Sequence, residues 1–205
     1  YEQFLTMAFA QLTYRESLRD IATCLHAVGP KLYHSGLRHP FARSTLADAT
    51  EKRDWPIFAD FAQVLIQRVL TLYSDEPFGV ELQNDAYALV STTIDLCLSL
   101  FPWAKFRRHK TAMKLHTLLN LRGNFPTVII VPTAKAHDVN ILDQLSYKAG
   151  SFYVFDRAYL DFGRLHRLHS QLAFFVTRAK QNLKCIRRYS RPVDKSTRLR
   201  CDQTI

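Results

Sequence analysis

Several patterns that identify common protein classes are missing from this sequence. Its four cysteines lie far apart and form no C-x-x-C pair, which argues against a zinc ribbon and suits a reduced, cytosolic setting. No H-E-x-x-H, P-loop glycine pattern or G-x-S-x-G occurs, which argues against a zincin, a P-loop NTPase and an α/β-hydrolase. No apolar run approaches the ~20 residues that span a bilayer, and no signal-peptide pattern opens the chain. We therefore expect no membrane partner.

The sequence does have an excess of positive charge. It carries 28 Lys and Arg against 18 Asp and Glu over 205 residues, a formal net charge of +10. A basic domain of this size commonly meets a polyanion, so nucleic acid is the expected partner, although each basic cluster could also be a solvated face. One cluster comprises Lys105, Arg107, Arg108, Lys110 and Lys114. The other comprises Lys180, Lys184, Arg187, Arg188, Arg191, Lys195, Arg198 and Arg200.

The first 75 residues predict a small all-α domain. Four apolar residues recur at helical spacing: Leu18, Ile21, Ala22 and Leu25. The segment Thr13-Tyr14-Arg15-Glu16 has the form of a capping box, in which Thr13 would cap a helix over 14–27. A second helix is predicted over about 44–53, and Trp55-Pro56 is expected to begin a third.

Two interpretations of this helical region stay open. Helices over 14–27 and 44–53, joined by a basic loop, could form a helix-turn-helix in which Arg43, Lys52 and Arg53 contact DNA. However, the connection is far longer than the 3–4 residues of the compact motif. An ordinary helical bundle explains the pattern equally well.

The hydrophobic period changes after the turn-rich segment 75–79, which we take as the domain boundary. Strands are predicted over 86–96, 115–121 and 127–131, with the apolar alternation of the first continuing to Leu100, and a helix over 138–145. A strand at 152–156, a helix at 160–169 and a strand at 173–177 follow. This order predicts an α/β fold for residues 79–205, with a mixed β-sheet and flanking helices.

The run Phe152-Tyr153-Val154-Phe155 predicts a short strand buried on both faces, and Asp156 ends it. Sites in open α/β sheets lie at the carboxyl ends of strands, so Asp156 is well placed to hold a metal ion or a proton. It could equally cap the next turn. Asp138 is expected to be a helix N-cap, and His116 to lie on a polar strand face.

Five sequence blocks carry a family resemblance. They are Y-A-L-V-S-T-T-I-D-L-C-L-S-L-F-P-W-A-K-F-R-R at 87–108, K-L-H-T-L-L-N-L-R-G-N-F-P-T at 114–127, A-H-D-V-N-I-L-D at 136–143, F-Y-V-F-D-R-A-Y-L-D-F at 152–162 and F-F-V-T-R-A-K at 174–180. In this order they resemble the catalytic domain of bacterial insertion-sequence transposases of the IS-four group. Residues 12–21 and 43–49 also resemble that group's amino-terminal DNA-binding region.

This resemblance implies a ribonuclease-H-like fold, a D-D-E triad that holds two Mg²⁺ (or Mn²⁺) ions, and cut-and-paste transposition. The implied partners are double-stranded DNA at the terminal inverted repeats, target DNA, and a second copy of the chain in a homodimeric synaptic complex. The implied location is the bacterial cytoplasm, in association with the nucleoid. Two kinds of protein remain as alternatives, namely a non-catalytic DNA-binding protein derived from a transposase and an unrelated nuclease of the same fold.

Asp156 matches the second Asp of the group and is the expected catalytic and metal-binding residue. The first Asp falls where this chain has Val90, and the catalytic Glu is expected beyond Ile205. Asp85 and Asp95 each lie five residues from position 90, ~16 Å away and on the opposite strand face, so neither can substitute. We therefore expect an intact fold with its catalysis lost.

The remaining predicted DNA contacts lie in the second domain. They are Arg107, Arg108, Arg157, Lys180, Lys184, Arg187 and Arg188. Because the chain begins at Tyr1 in a helical pattern rather than at a Met, we also expect it to be a fragment of a longer protein.

Overall fold

The structure is a computed structural model that describes residues 1–73, 79, 81–96, 105–107, 110–132, 138–197 and 199–205. The side chains of residues 95–96, 105–107 and 110–111 lie outside this description. The chain divides into two compact units, residues 1–64 and 65–205. The domain boundary predicted at 75–79 falls mostly outside the described residues and stays a prediction.

The first unit is helical, as the sequence predicted. It contains α1 (Glu2–Leu12), α2 (Leu18–Ala27), a 3₁₀ helix (Gly29–Ser35) and α3 (Arg43–Lys52), and α4 (Pro56–Leu72) runs on into the second unit. Its buried core comprises Ala10, Ile21, Leu25, Leu32, Leu37 and Leu46. Because the 3₁₀ helix intervenes between α2 and α3, their connection is not the compact turn of a helix-turn-helix.

The helix start predicted at Thr13 is wrong. Thr13 ends α1 instead, and its hydroxyl donates to the Phe9 carbonyl at 2.7 Å. Tyr14 follows with a φ of 57°, a left-handed conformation in which a right-handed helix cannot continue. Ser17 caps α2 by accepting a hydrogen bond from the backbone N–H of Asp20 at 3.1 Å. Ser17 therefore supplies the capping chemistry that the prediction had assigned to Thr13.

The second unit is built on a mixed β-sheet. Its strands are β1 (Ala86–Leu96), β2 (Lys105–Arg107), β3 (Lys110–Asn120), β4 (Phe125–Ile130), β5 (Phe152–Phe155) and β6 (Phe174–Thr177). In the described part of the chain they are ordered β2-β3-β1-β5-β6, with β4 also paired to β3. β3 is antiparallel to β1, β2 and β4, while β5 and β6 run parallel to β1. This arrangement confirms the predicted α/β class.

Short helices and a hairpin complete the second unit. α5 (Phe162–Ser170) lies between β5 and β6, and β7 (Tyr189–Arg191) pairs with β8 (Asp202–Thr204). The α-helix predicted over 138–145 is a 3₁₀ helix, Asp138–Gln144. Asp143 on this helix accepts hydrogen bonds from Arg164 and Arg167 of α5, each at 2.6 Å. These bonds tie the 3₁₀ helix to α5.

One face of the sheet holds the core of the second unit. The buried residues are Leu89, Leu118, Tyr153 and Phe155 from the strands, with Ile141, Leu142, Leu145, Tyr159, Leu165, Leu168 and Ala173 packed on them. The prediction that strand 152–155 is buried on both faces is wrong, because Val154 is 36% exposed. Successive strand residues point to opposite faces, and the described helices cover only the Tyr153 side.

Truncating a core residue of the second unit should destabilise it much more than the same truncation at its surface. Ile141 is fully buried and Ile94 on β1 is half-exposed. We expect Ile141→Ala to lower the free energy of unfolding by ~2–5 kcal/mol, because it removes apolar contacts and leaves a cavity. Ile94→Ala should cost about 1 kcal/mol or less. Urea denaturation followed by circular dichroism measures both, and equal losses would contradict this assignment of the core.

Candidate active site

Asp156 lies immediately after β5 and begins the turn that follows. One oxygen of its carboxylate accepts a hydrogen bond from the backbone N–H of Arg157 at 2.7 Å and so caps the 3₁₀ helix Arg157–Tyr159. Its backbone carbonyl accepts another from the N–H of Tyr159 at 3.0 Å. The side chain is exposed at the carboxyl edge of the sheet. The capping role that the sequence left open is therefore present at the position expected of a strand-end site.

The parallel register of β1 and β5 brings position 90 beside Asp156. Leu89 pairs with Phe155, so the next residues, Val90 and Asp156, lie level on adjacent strands. Both line a cleft of about 510 Å³, which we call the strand-end cleft. Its other lining residues include Ser91, Tyr159, Thr177 and Arg178. The two positions that the sequence singled out thus meet in one cleft, and one of them carries a valine.

These residues do not fit a two-ion metal site. Such a site needs several carboxylates on neighbouring elements, and a valine offers no ligand atom. In the described part of the chain no three His, Cys, Asp or Glu side chains come together. Asp85 lies before β1 and its carboxylate is 2.6 Å from the Lys148 ammonium. The side chain of Asp95 is outside the described residues.

Asp156 also borders a second cleft, of about 470 Å³, which we call the basic cleft. Its lining comprises Asp156, Arg157, Ala158, Lys180, Gln181 and Asn182. The Lys180 ammonium donates to the Leu160 carbonyl at 3.4 Å, which holds this side chain near the turn after β5. Two cations and two amides therefore surround the edge of the candidate site, a composition suited to an anionic ligand.

The other predicted DNA contacts of the second unit lie on the segment after β6. Lys184, Arg187 and Arg188 are all exposed there, ahead of β7. The side chain of Arg107 and the whole of Arg108 fall outside the described residues. The structure therefore brings Arg157 and Lys180 together at Asp156.

The predicted DNA contacts of the first unit differ in their local bonding. Arg43 is exposed on the first turn of α3, and the Lys52 ammonium lies 3.4 Å from the Asp48 carboxylate. The Arg53 guanidinium donates to the side-chain oxygen of Gln3 at 2.8 Å. Arg53 thus joins the end of α3 to α1.

Sequence reasoning missed a buried polar group beneath the strand-end cleft. His116 is 1% exposed, and its Nδ1 lies 2.8 Å from the hydroxyl oxygen of Tyr159, which is also 1% exposed. The prediction that His116 lies on a polar face is wrong. The two-residue strand period places it on the same face as the buried Leu118, and this spacing was the available signal.

Burial governs the ionisation of this group. It lowers the pKa of His116, an effect that the nearby Asp138 carboxylate opposes and the Lys114 ammonium reinforces. Burial also raises the pKa of Tyr159 to about 12, although a side-chain hydrogen bond with Ser91 lowers it. At neutral pH both side chains are therefore uncharged.

Comparison with known families identifies the second unit. The family described as "Transposase DDE domain" matches residues 88–204, more than half of the chain. The chain belongs to this family. A domain of unknown function, DUF4372, matches residues 1–38. The family confirms the resemblance drawn from the five sequence blocks and implies a ribonuclease-H-like fold, with which the observed mixed sheet agrees.

Two curated relatives are also named as transposases. A protein of Sinorhizobium fredii named as a transposase is 29% identical over 138 residues, 67% of this chain and 37% of that protein. A protein of Geobacillus stearothermophilus named as the transposase of an insertion sequence element is 32% identical over 93 residues, 45% of this chain and 24% of that protein. The chain therefore spans well under half the length of these relatives. No solved structure matches it.

Transposases of the DDE family use divalent metal ions and bind DNA. Within the described residues, no helix has both the length and the apolar character needed to cross a membrane.

A carboxylate at position 90 should create a cation site with Asp156. Adjacent strands lie ~4.8 Å apart, so Val90→Asp would let two carboxylates share one Mn²⁺ ion. We expect Mn²⁺ to bind at least about tenfold more tightly than to the unmodified chain, measured by calorimetry, a gain of ~1.4 kcal/mol.

The matched control is Val131→Asp, which adds a carboxylate at another exposed valine. This variant should bind Mn²⁺ no better than the unmodified chain. Adding Asp156→Ala to Val90→Asp should remove the gain. If the gain survives that second substitution, position 90 and Asp156 do not form one site.

Proposed function

We propose that this chain is part of an insertion-sequence DNA transposase that binds element DNA and does not itself cleave it. The observation that carries the proposal is the position of Val90, which lies level with Asp156 on the adjacent strand and lines the same strand-end cleft. The fold and the family support the transposase origin. The valine supports the loss of cleavage, because the carboxylate left at this edge of the sheet has no partner at position 90.

The proposed substrate is double-stranded DNA. The intact parent protein would bind the terminal inverted repeats of its element as a homodimer in the bacterial nucleoid and hydrolyse a phosphodiester there. The freed 3′-hydroxyl would then attack a phosphodiester of the target. In this chain, Asp156 marks the place of that chemistry, and residues 79–205 belong to the catalytic domain, with Mg²⁺ or Mn²⁺ as the parent's cofactor.

The basic side chains near Asp156 support contact with the DNA backbone. Arg157 and Lys180 line the basic cleft, and the predicted contacts Lys184, Arg187 and Arg188 follow along the chain. Cations of this kind neutralise phosphates without reading base sequence. Preference for the terminal repeat is proposed to come from residues 1–75, through Arg43 and Lys52 of α3.

A second candidate is a non-catalytic DNA-binding protein derived from a transposase. Val90 favours it, because a chain under selection for DNA cleavage would need a ligand at this position. The two candidates share the DNA-binding surfaces and differ in whether the parent gene encodes a working site. Sequencing the parent locus distinguishes them, since an aspartate codon at position 90 in intact copies would support the enzyme.

Binding to duplex DNA should depend strongly on salt. If the chain neutralises ~6 phosphates, its affinity should fall by about three decades between 50 and 200 mM salt, as measured by fluorescence anisotropy. Replacing Lys184, Arg187 and Arg188 by Gln should reduce the slope of log affinity against log salt by about 3. Binding that ignores salt would remove the nucleic-acid proposal.

A further variant tests the contribution of the first unit. Replacing Arg43 and Lys52 by Ala should abolish any preference for the repeat over a scrambled duplex of equal length. Arg53 is left intact because its bond to Gln3 makes it structural.

The unmodified chain should not nick DNA. A single carboxylate cannot balance two divalent ions or place the attacking water, so the losses compound. The assay is 3′-end nicking of a labelled repeat duplex in the presence of Mn²⁺. Clear nicking that Asp156→Ala abolishes would refute the proposed inactivity while keeping the assignment of the site.

A further inference from the structure

Tyr159 connects the turn after Asp156 to a strand two places away in the sheet. It ends the 3₁₀ helix that Asp156 caps, and its phenol reaches His116 on β3 although β1 lies between β3 and β5. His116 is the register partner of Ser91 on β1, the residue after Val90. The Tyr159 hydroxyl therefore joins the turn after β5 to the middle of β3.

Two polar side chains interact with this hydroxyl. A side-chain hydrogen bond with Ser91 lowers the pKa of Tyr159. The Tyr159 hydroxyl also shares a hydrogen bond with Nδ1 of His116 at 2.8 Å, in which the tautomer of His116 sets the donor. Nε2 of His116 lies 3.7 Å from a carboxylate oxygen of Asp138, beyond hydrogen-bond distance, and has no hydrogen-bond partner in the described part of the chain.

The Asp138 carboxylate near His116 is itself held. The Lys114 ammonium donates to both of its oxygens, at 2.5 and 2.7 Å. Asp138 begins the 3₁₀ helix that packs on the core. A phenylalanine at 159 would fill the same apolar volume but would lose the hydrogen bond to His116 on β3.

We infer that His116 and Tyr159 are positioning residues that hold the turn after β5 and thereby orient the Asp156 carboxylate beside position 90. The inference rests on the proposed function only in treating Asp156 as the site carboxylate. The hydrogen bond between His116 and Tyr159 acts through the short helix Arg157–Tyr159, because Asp156 caps that helix with its side chain and its backbone. Neither His116 nor Tyr159 is assigned contact with DNA or metal.

The test is amide NMR of the full chain without DNA or metal. The Arg157 N–H donates to the Asp156 carboxylate, so its chemical shift and hydrogen-exchange rate report the orientation of that side chain. Tyr159→Phe should shift this resonance and speed its exchange about tenfold. The amide of Ile21, in the first unit, should not change.

Substitutions at His116 separate positioning from packing. His116→Leu keeps the apolar bulk and should reproduce the effect of Tyr159→Phe, and combining the two should add little further change. His116→Asn keeps a polar atom near the Nδ1 position and should restore most of the native Arg157 signal. These outcomes do not depend on DNA binding, so the proposed function can fail while this inference holds.

Three results would overturn the inference. An unchanged Arg157 amide in folded Tyr159→Phe would show that the hydroxyl does not hold the turn. Equal loss of exchange protection across β1 and β5 would show a general structural role. Independent, additive effects of His116→Leu and Tyr159→Phe would show that the two residues do not act as one hydrogen-bonded pair.

Discussion

The candidate site depends on the parallel pairing of β1 with β5. These strands are more than fifty residues apart in the chain, yet Leu89 and Phe155 are register partners and both are buried in one core. A slip of one residue would turn every core side chain outward, so burial fixes the register strongly. Because the register is fixed, position 90 and Asp156 must lie level at the sheet edge, whatever residues occupy them.

The same geometry makes the fold independent of which residue occupies position 90. Val90 is 41% exposed and contributes to the wall of a cleft rather than to the core, so a carboxylate or a valine there leaves the sheet intact. Valine also suits a β-strand well. A chain of the DDE transposase family can therefore keep its sheet and its buried His116–Tyr159 hydrogen bond with a valine at position 90.

Asp156 caps a helix and also lies at the candidate site. Its carboxylate caps the turn after β5, and the basic cleft begins at the same residue. The Tyr159 hydroxyl ties this turn to His116 on β3 by a hydrogen bond, and Arg157 and Lys180 line the basic cleft beside it. A side chain that caps a helix has few free rotamers, and an oriented carboxylate of this kind is what a binding site at a strand end requires.

The sequence by itself determined β1, β3, β4, β5, β6 and α5 in their order, since period-two and helical patterns are local, and it singled out Asp156 and Val90. It did not indicate the three-residue strands β2, β7 and β8, which are too short to show a period. It misplaced the start of α2, where the left-handed Tyr14 decides the outcome, and it overstated the burial of Val154, because composition does not say which elements cover a strand. Only the tertiary structure brought Val90 level with Asp156 and joined His116 to Tyr159. The physical reason is that strand register and buried hydrogen bonds connect residues far apart in the chain, which no local pattern records.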